Sequence, residues 1–190
     1  MSAVQSESGA RASAATTAGL IVNVAAFQVG WFACVLGAAR GWPWAGTVMA
    51  AIIVARHVAR AARPAQELKL IGAAILIGAL FDSSLAALGW LKFASGTLVE
   101  GTAPHWILAM WALFATTLNV SLNWLKGRHL IAFLLGGAAG PLSYWAGERL
   151  GAVVLVDPVL ALGALGVGWA IMMPVLTVLA CRYDGFNSTG

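Results

Sequence analysis

The hydrophobic positions of the chain form six long runs that are separated by short polar stretches. Each run holds about 20 residues, which is the length that a helix needs to cross the hydrocarbon core of a bilayer. A membrane β-barrel would instead show alternating segments of about ten residues. The pattern predicts an all-α fold, a polytopic membrane helix bundle with six transmembrane helices: Ala18–Ala39, Trp42–Ala59, Leu68–Leu91, His105–Leu125, His129–Glu148 and Val159–Cys181.

The polar ends of the chain set the predicted domain organisation. Residues 1–16 are rich in Ser and Ala and lack the basic start of a signal peptide, so we expect a disordered cytoplasmic tail. Residues 17–183 form one six-helix transmembrane domain, and residues 184–190 form a second cytoplasmic tail. The runs follow one another so closely that no room remains between them for a soluble domain.

Composition and charge support a membrane protein and predict its orientation. Of the 190 residues, 61% are hydrophobic and only 9% are charged, whereas about a quarter are charged in soluble domains. Eight Lys and Arg residues fall on the side of the N-terminus and three on the other, so both termini are predicted in the cytoplasm. Abundant Ala, Gly and Arg suggest a bacterium with a GC-rich genome. The net charge of +4 belongs to loops and does not indicate a nucleic-acid partner.

Asp82 is the one acid inside a long apolar run, about 14 residues or ~21 Å into the third predicted span. Ionisable groups at such depth are unfavourable in lipid and face protein or water instead. We interpret Asp82 as a proton-transfer, cation-binding or substrate-binding group. The alternative is a structural acid that ties two helices together.

Other polar side chains are predicted near the depth of Asp82, in the outer half of the membrane. Tyr144 and Glu148 lie four residues apart in the fifth span, so they share one helix face. The predicted catalytic group is Asp82, Tyr144 and Glu148, although Glu148 beside Arg149 also suits a plain interfacial charge. The predicted substrate-binding group is Gln28, Trp31, Asn119, Asn123 and Ser143.

Two of the predicted substrate-binding residues have a second interpretation. Asn119 and Asn123 fall in the cytoplasmic half, where such side chains often cross-link helices by hydrogen bonds.

The three histidines lie near span ends, and no paired or repeated histidine motif is present, so neither a metal nor another cofactor is predicted. Helix kinks are expected at Pro141 and Pro174, since proline cannot donate to the preceding turn.

Four stretches carry a resemblance to a known family: NVAAFQVGWFACVLGAA from Asn23, the span with Gly78 and Asp82, PHWILAMWALFATTLNVSLNWL from Pro104, and GGAAGPLSYWAGERLG from Gly136. The chain resembles a family of small bacterial inner-membrane proteins, domain of unknown function 2878. The resemblance implies no established activity. An association of the family with genes similar to cyclopropane-fatty-acid synthases would imply membrane-lipid modification, which is association and not mechanism.

Three functions remain open at this point. The first is binding, modification or presentation of a lipid or small apolar metabolite in an outer-half cavity around Asp82. The second is a small proton-coupled transporter, although the two halves of the chain show no convincing inverted repeat. The third is a non-catalytic accessory subunit with a membrane-protein partner or a second copy of the chain. The sequence does not decide whether the protein is an enzyme.

Overall fold

The structure, a computed structural model, describes residues 17–187. The predicted tail 1–16 and residues 188–190 of the second predicted tail lie outside this part of the chain. The described residues form six α-helices and two short strands: α1 Thr17–Ala39, α2 Pro43–Arg60, α3 Pro64–Ala87, β1 Leu91–Phe93, α4 His105–Leu118, α5 His129–Arg149, β2 Val153–Leu155 and α6 Pro158–Arg182.

Local sequence explains where several helices begin and end. Helices α2, α3 and α6 begin with a proline, whose missing N–H group needs no partner at a helix start. Asp157 precedes α6 and accepts a hydrogen bond from the Leu160 amide, so its side chain caps that helix. Gly41 and Gly151 have φ angles of 75° and 84° in the turns that follow α1 and α5, a conformation that favours glycine.

Four of the helices, α1, α3, α5 and α6, are long and apolar enough to cross a membrane. Their length and composition indicate a multi-pass membrane protein. Helix α4 is apolar but has only 14 residues, and α2 carries Arg56, His57 and Arg60 near its end. The prediction of six helices is confirmed, whereas the spanning length is found for four. Which side of the membrane each end faces stays a prediction.

The fourth predicted span is wrong over its last third. Helix α4 ends at Leu118, and a turn leads to a 3₁₀-helix at Asn123–Leu125. Hydroxyl groups of Thr116 and Thr117 bond to carbonyls three residues earlier, and the Leu122 amide bonds to the carbonyl of Thr117. Such local bonds compete with a continuing helix, which explains why the apolar run does not stay helical to its end.

Helix α4 lies at the centre of the bundle and is buried over most of its length. It packs against α1, α2 and α3, while α5 and α6 form a second tightly packed pair. Glycines permit close approaches: a Cβ on Gly46 of α2 would lie 2.4 Å from the Cα of Cys34, and one on Gly136 of α5 would lie 2.3 Å from the carbonyl oxygen of Trp169. Pro141 and Pro174, the predicted kink sites, lie inside the continuous helices α5 and α6.

The two ends of the bundle differ in structure. At one end, called the sheet end, β1 and β2 pair antiparallel, with Leu91 opposite Leu155 and Phe93 opposite Val153. These residues were predicted to lie in loops or at span ends, and no strand was predicted. At the other end, called the terminal end, α1 begins and α6 finishes. Residues 183–187 fold back there against the start of α3.

Candidate functional site

Asp82 is completely buried in α3, and both of its carboxyl oxygens are hydrogen-bonded. The indole nitrogen of Trp111, on α4, donates to Oδ2 at 2.7 Å. The hydroxyl of Tyr144, on α5, donates to Oδ1 at 2.5 Å. One carboxyl thus joins three helices, and we call Asp82, Trp111 and Tyr144 the carboxyl cluster.

Glycines on neighbouring helices make room for the aromatic rings around the carboxyl cluster. A Cβ on Gly78, one turn before Asp82, would lie 2.1 Å from ring atoms of Trp111, and a Cβ on Gly140 would lie 2.3 Å from Trp169. Because these side chains are absent, the two indole rings stack with centroids 4.8 Å apart. The buried indole nitrogen of Trp169 has no hydrogen-bond partner within the described residues.

A small cavity adjoins Tyr144 on the side of α1. Its volume is about 20 Å³, and its lining comes from α1, α4, α5 and both strands. Trp31, Ser143 and Tyr144 supply its polar groups. The indole nitrogen of Trp31 donates to the hydroxyl of Ser143 at 3.2 Å, and this bond bridges α1 and α5, which otherwise have little direct contact. A void of this size holds about one water molecule.

The predicted site residues fall into two groups in the structure. Asp82 and Tyr144 meet directly, and Trp31 and Ser143 line the adjoining cavity. The other four lie elsewhere. Gln28 is exposed on the outer face of α1. Glu148 accepts a hydrogen bond from the Leu155 amide, and this bond holds β2 against α5. Asn119 and Asn123 follow α4 toward the terminal end.

Asn119 belongs to a second buried polar cluster that the sequence analysis missed. At its centre is Glu67, which is fully buried in the first turn of α3. One oxygen accepts bonds from the Asn119 amide at 2.5 Å and the Gly185 backbone amide at 2.9 Å, while the other lies 2.8 Å from Nε2 of His57. This terminal-end cluster fastens residues 183–187 to the bundle, and it explains why Asn119 lies away from Asp82.

Two missed residues, Glu67 and Trp111, differ in how much the sequence reveals about them. Glu67 follows His57 by ten positions across a tight helix connection, so a buried pair could have been considered. Trp111 was not singled out from the sequence, because an indole in an apolar run usually packs and does not reveal which carboxylate it reaches. The hydrogen bond to Asp82 follows only from the crossing of α3 and α4.

A second cavity lies apart from the carboxyl cluster. It is an open groove of about 480 Å³ between α1 and α2, near the sheet end. Phe32, Leu36 and Met49 are among its apolar lining residues, and Arg40 and Trp42 also line it. None of its lining residues belongs to the carboxyl cluster.

Chemically, the carboxyl cluster combines a carboxyl and a phenol in an apolar, water-poor setting, where hydrogen bonds are stronger than in water. It can bind a polar group of an apolar ligand or exchange a proton between its two oxygens. Among residues 17–187, no three His, Cys, Asp or Glu side chains come close enough to hold a metal ion.

Comparison with known proteins identifies the family of the chain but no characterised relative. No curated protein and no solved structure gives a significant match. The family described as "Protein of unknown function (DUF2878)" matches residues 20–175, a range that includes the carboxyl cluster, the adjoining cavity and Glu67. The resemblance inferred from the sequence is therefore confirmed, and the chain belongs to the DUF2878 family.

Proposed function

We propose that this membrane protein binds a lipid or small apolar metabolite inside its helix bundle, with Asp82 and Tyr144 as the polar contacts. The observation that carries the proposal is the adjoining cavity: Tyr144, which donates a hydrogen bond to Asp82, lies at the wall of a void. Burying an acid in a membrane span is energetically unfavourable, and the acids that are found there are commonly functional. The bacterial inner membrane is the location that we propose.

A ligand would reach this cavity sideways from the bilayer, between α1 and α5. These helices are bridged by the hydrogen bond from Trp31 to Ser143, and few other contacts join the two helices. Breaking one neutral hydrogen bond changes stability by only about 0.5–1.5 kcal/mol. The two helices can therefore separate with a small change in free energy, and this separation would expose Tyr144 to the hydrocarbon region.

The cavity must widen before a ligand of this kind can enter. About 20 Å³ is too small for an acyl chain or a terpenoid, so binding must separate α1 from α5. A hydroxyl or carbonyl group of the ligand could then replace Trp31 as the partner of Ser143, while Tyr144 and Asp82 hold a second polar group. Modification of the ligand would require proton transfer at this pair, which makes catalysis a further step of the same proposal.

Photolabelling can test the proposal in reconstituted vesicles of phosphatidylethanolamine and phosphatidylglycerol. The probe is a long-chain alcohol with a diazirine group, and labelled residues are mapped by peptide mass spectrometry. We expect labelling of the cavity wall around Ser143 and Gly147 in the wild type and its loss in Asp82→Asn. Leu142→Ala alters an exposed side chain next to the site and serves as the matched control. Labelling confined to exposed residues, and equal in all three proteins, would overturn the proposal.

Proton-coupled transport and an accessory role give different results in the same vesicles. A transporter would move protons across the membrane in a way that depends on Asp82, whereas a lipid-binding protein would not. An accessory subunit would copurify in mild detergent with a partner protein, and Asp82→Asn would leave the labelling unchanged. Lipid profiles of a deletion strain, complemented with wild type or with an equally abundant Asp82→Ala protein, then identify the affected lipid species.

A further inference from the structure

Gln28 is the middle residue of the 23-residue helix α1, yet its side chain is exposed on the outside of the bundle. Within the described residues it makes no hydrogen bond. In a bilayer, this position places a primary amide near the centre of the hydrocarbon core, where an unpaired polar group is unfavourable. An amide exposed at that depth indicates a partner that can bind it.

The contrast with Ser84 shows that exposure alone is not the reason. Ser84 is also exposed on a spanning helix, but its hydroxyl bonds to the carbonyl of Leu80 at 2.7 Å within the same helix. A serine can satisfy itself in this way. Gln28 has two donor hydrogens and an acceptor oxygen, and none of them is used within the described residues.

The surroundings of Gln28 form a surface suited to another helix. Ile21, Ala25, Gln28 and Phe32 are exposed and spaced by four, three and four residues, so they lie within an arc of about 60° on one side of α1. This spacing matches the seam of packed helices, and the small side chain of Ala25 allows close approach. We call these four residues the α1 seam.

Helix α1 is also the most peripheral of the four candidate spans. Only 17% of its most apolar stretch is buried, compared with 28% in α5 and 33% in α3 and α6. Its inner side packs on α2 and α4, whereas the α1 seam faces outward. The least covered helix therefore carries the unpaired amide.

We infer that the α1 seam is a dimer interface, at which Gln28 binds Gln28 of a second copy. An amide carries both a donor and an acceptor, so two identical amides related by a two-fold axis can exchange a pair of hydrogen bonds. No other polar residue of the α1 seam must be matched. The surface is self-complementary, as a symmetric dimer requires. A partner of different sequence would need its own amide at the same depth.

Disulfide cross-linking in vesicles tests the position of this interface. The background carries Cys181→Ser, because Cys181 is exposed, whereas the fully buried Cys34 can stay. Ala25→Cys should give a covalent dimer on oxidation, since a disulfide forms where two Cβ atoms come within about 4.5 Å. Leu76→Cys, an exposed residue at the middle of α3, is the matched control and should stay monomeric. Equal cross-linking of both variants would overturn the inference.

Substitution of Gln28 tests the role of the amide. Gln28→Leu should fold normally, because it places an apolar group in lipid, and should weaken dimerisation about threefold to thirtyfold in single-molecule measurements. Gln28→Asn keeps an amide and should retain the dimer. Dimerisation of Gln28→Leu equal to that of the wild type would overturn the inference. So would a cross-link from Ala25→Cys to a different protein in native membranes.

Discussion

The hydroxyl oxygen of Tyr144 and the Oδ1 atom of Asp82 lie 2.5 Å apart, although the two residues are separated by 62 positions in the chain. Trp111 occupies the other carboxyl oxygen, so the carboxyl cluster joins α3, α4 and α5 in one network. In a low-dielectric interior, such a network is strong only while every member has its partner. Removing one donor therefore affects all three helices.

Replacing Tyr144 by phenylalanine should destabilise the protein by about 1–3 kcal/mol, because Oδ1 of Asp82 loses its donor while remaining buried. Thermal unfolding in detergent measures the change. Tyr183→Phe is the matched control: the Tyr183 hydroxyl makes no hydrogen bond within residues 17–187, so that variant should change stability by less than about 0.5 kcal/mol. Equal effects of the two substitutions would show that the bond to Asp82 contributes nothing.

Adding a methyl group at Gly78 should disrupt the carboxyl cluster without removing any of its polar groups. The new Cβ would lie 2.1 Å from ring atoms of Trp111, so the indole must move away from Asp82. Overpacking of this kind is destabilising by about 1–3 kcal/mol.

The matched control for Gly78→Ala is Gly72→Ala in the same helix, where nothing lies within 4 Å of the added Cβ. Alanine favours helices over glycine by about 0.5–1 kcal/mol, so this control should be neutral or stabilising. Gly78→Ala should lower the unfolding temperature, whereas Gly72→Ala should leave it unchanged or raise it. A shift of the same sign and size would contradict the close packing of Trp111 on Gly78.

Much of the fold was predictable because membrane spans follow a strong composition rule. Apolar runs of about 20 residues identified all six helices, and their order fixed which helix ends lie together. The strands β1 and β2 were not predictable. Each has three residues, and each pairs with a segment about 60 positions away, so no local pattern distinguishes it from a turn. The end of α4 was missed because local hydroxyl and amide bonds there override an apolar run.

The depth of the candidate site residues in the membrane was predictable, but the direction in which their side chains point was not. Sequence position gives the distance of a residue along a helix, and this was sufficient to place Asp82 and Tyr144 at one level. It does not give the face of α1 that meets the bundle, since apolar residues lie on every side of α1. Gln28 was therefore assigned to the cavity, whereas the structure places its side chain outside. Depth comes from counting residues, and direction comes from neighbouring helices.

Removing the carboxylate of Glu67 should loosen the end of the chain. Its Oε1 atom accepts the Gly185 amide and the Asn119 side chain, so Glu67→Ala leaves both donors without this acceptor. Hydrogen bonds to charged groups contribute about 1.5–3 kcal/mol, which corresponds to roughly tenfold to hundredfold faster hydrogen exchange at Gly185. Exchange within α5 should not change, because the effect is local.

The control for the exchange experiment is Glu100→Ala, which removes an exposed acid near the sheet end. It should leave the exchange of Gly185 unaltered. If Glu67→Ala leaves Gly185 as protected as in the wild type, then Arg63, whose guanidinium bonds to the carbonyls of Asp184 and Asn187, holds the segment without help from Glu67.

The attachment of residues 183–187 should weaken in acid because of Asp184. Burial alone would raise the pKa of this carboxyl, but the ion pair with Lys126 at 2.6 Å and hydrogen bonds from Asn187 and Phe186 outweigh burial, so the pKa lies below its ordinary value of 3.8. A lowered pKa means that the folded state favours the ionised form. Its stabilising contribution is complete above pH 3.8 and is lost as the pH falls from 3.8 through the folded value.

Amide NMR shifts of Phe186 and Asn187 can follow this loss, because both amides donate to Oδ1 of Asp184. In the wild type, their titration midpoint should lie below pH 3.8. In Lys126→Met the opposite charge is gone, so the midpoint should move upward and the segment should detach at a higher pH. Asp184→Asn should abolish the transition at both amides. A wild-type midpoint above pH 3.8, or one that Lys126→Met does not shift, would mean that the Lys126–Asp184 pair does not fasten the segment.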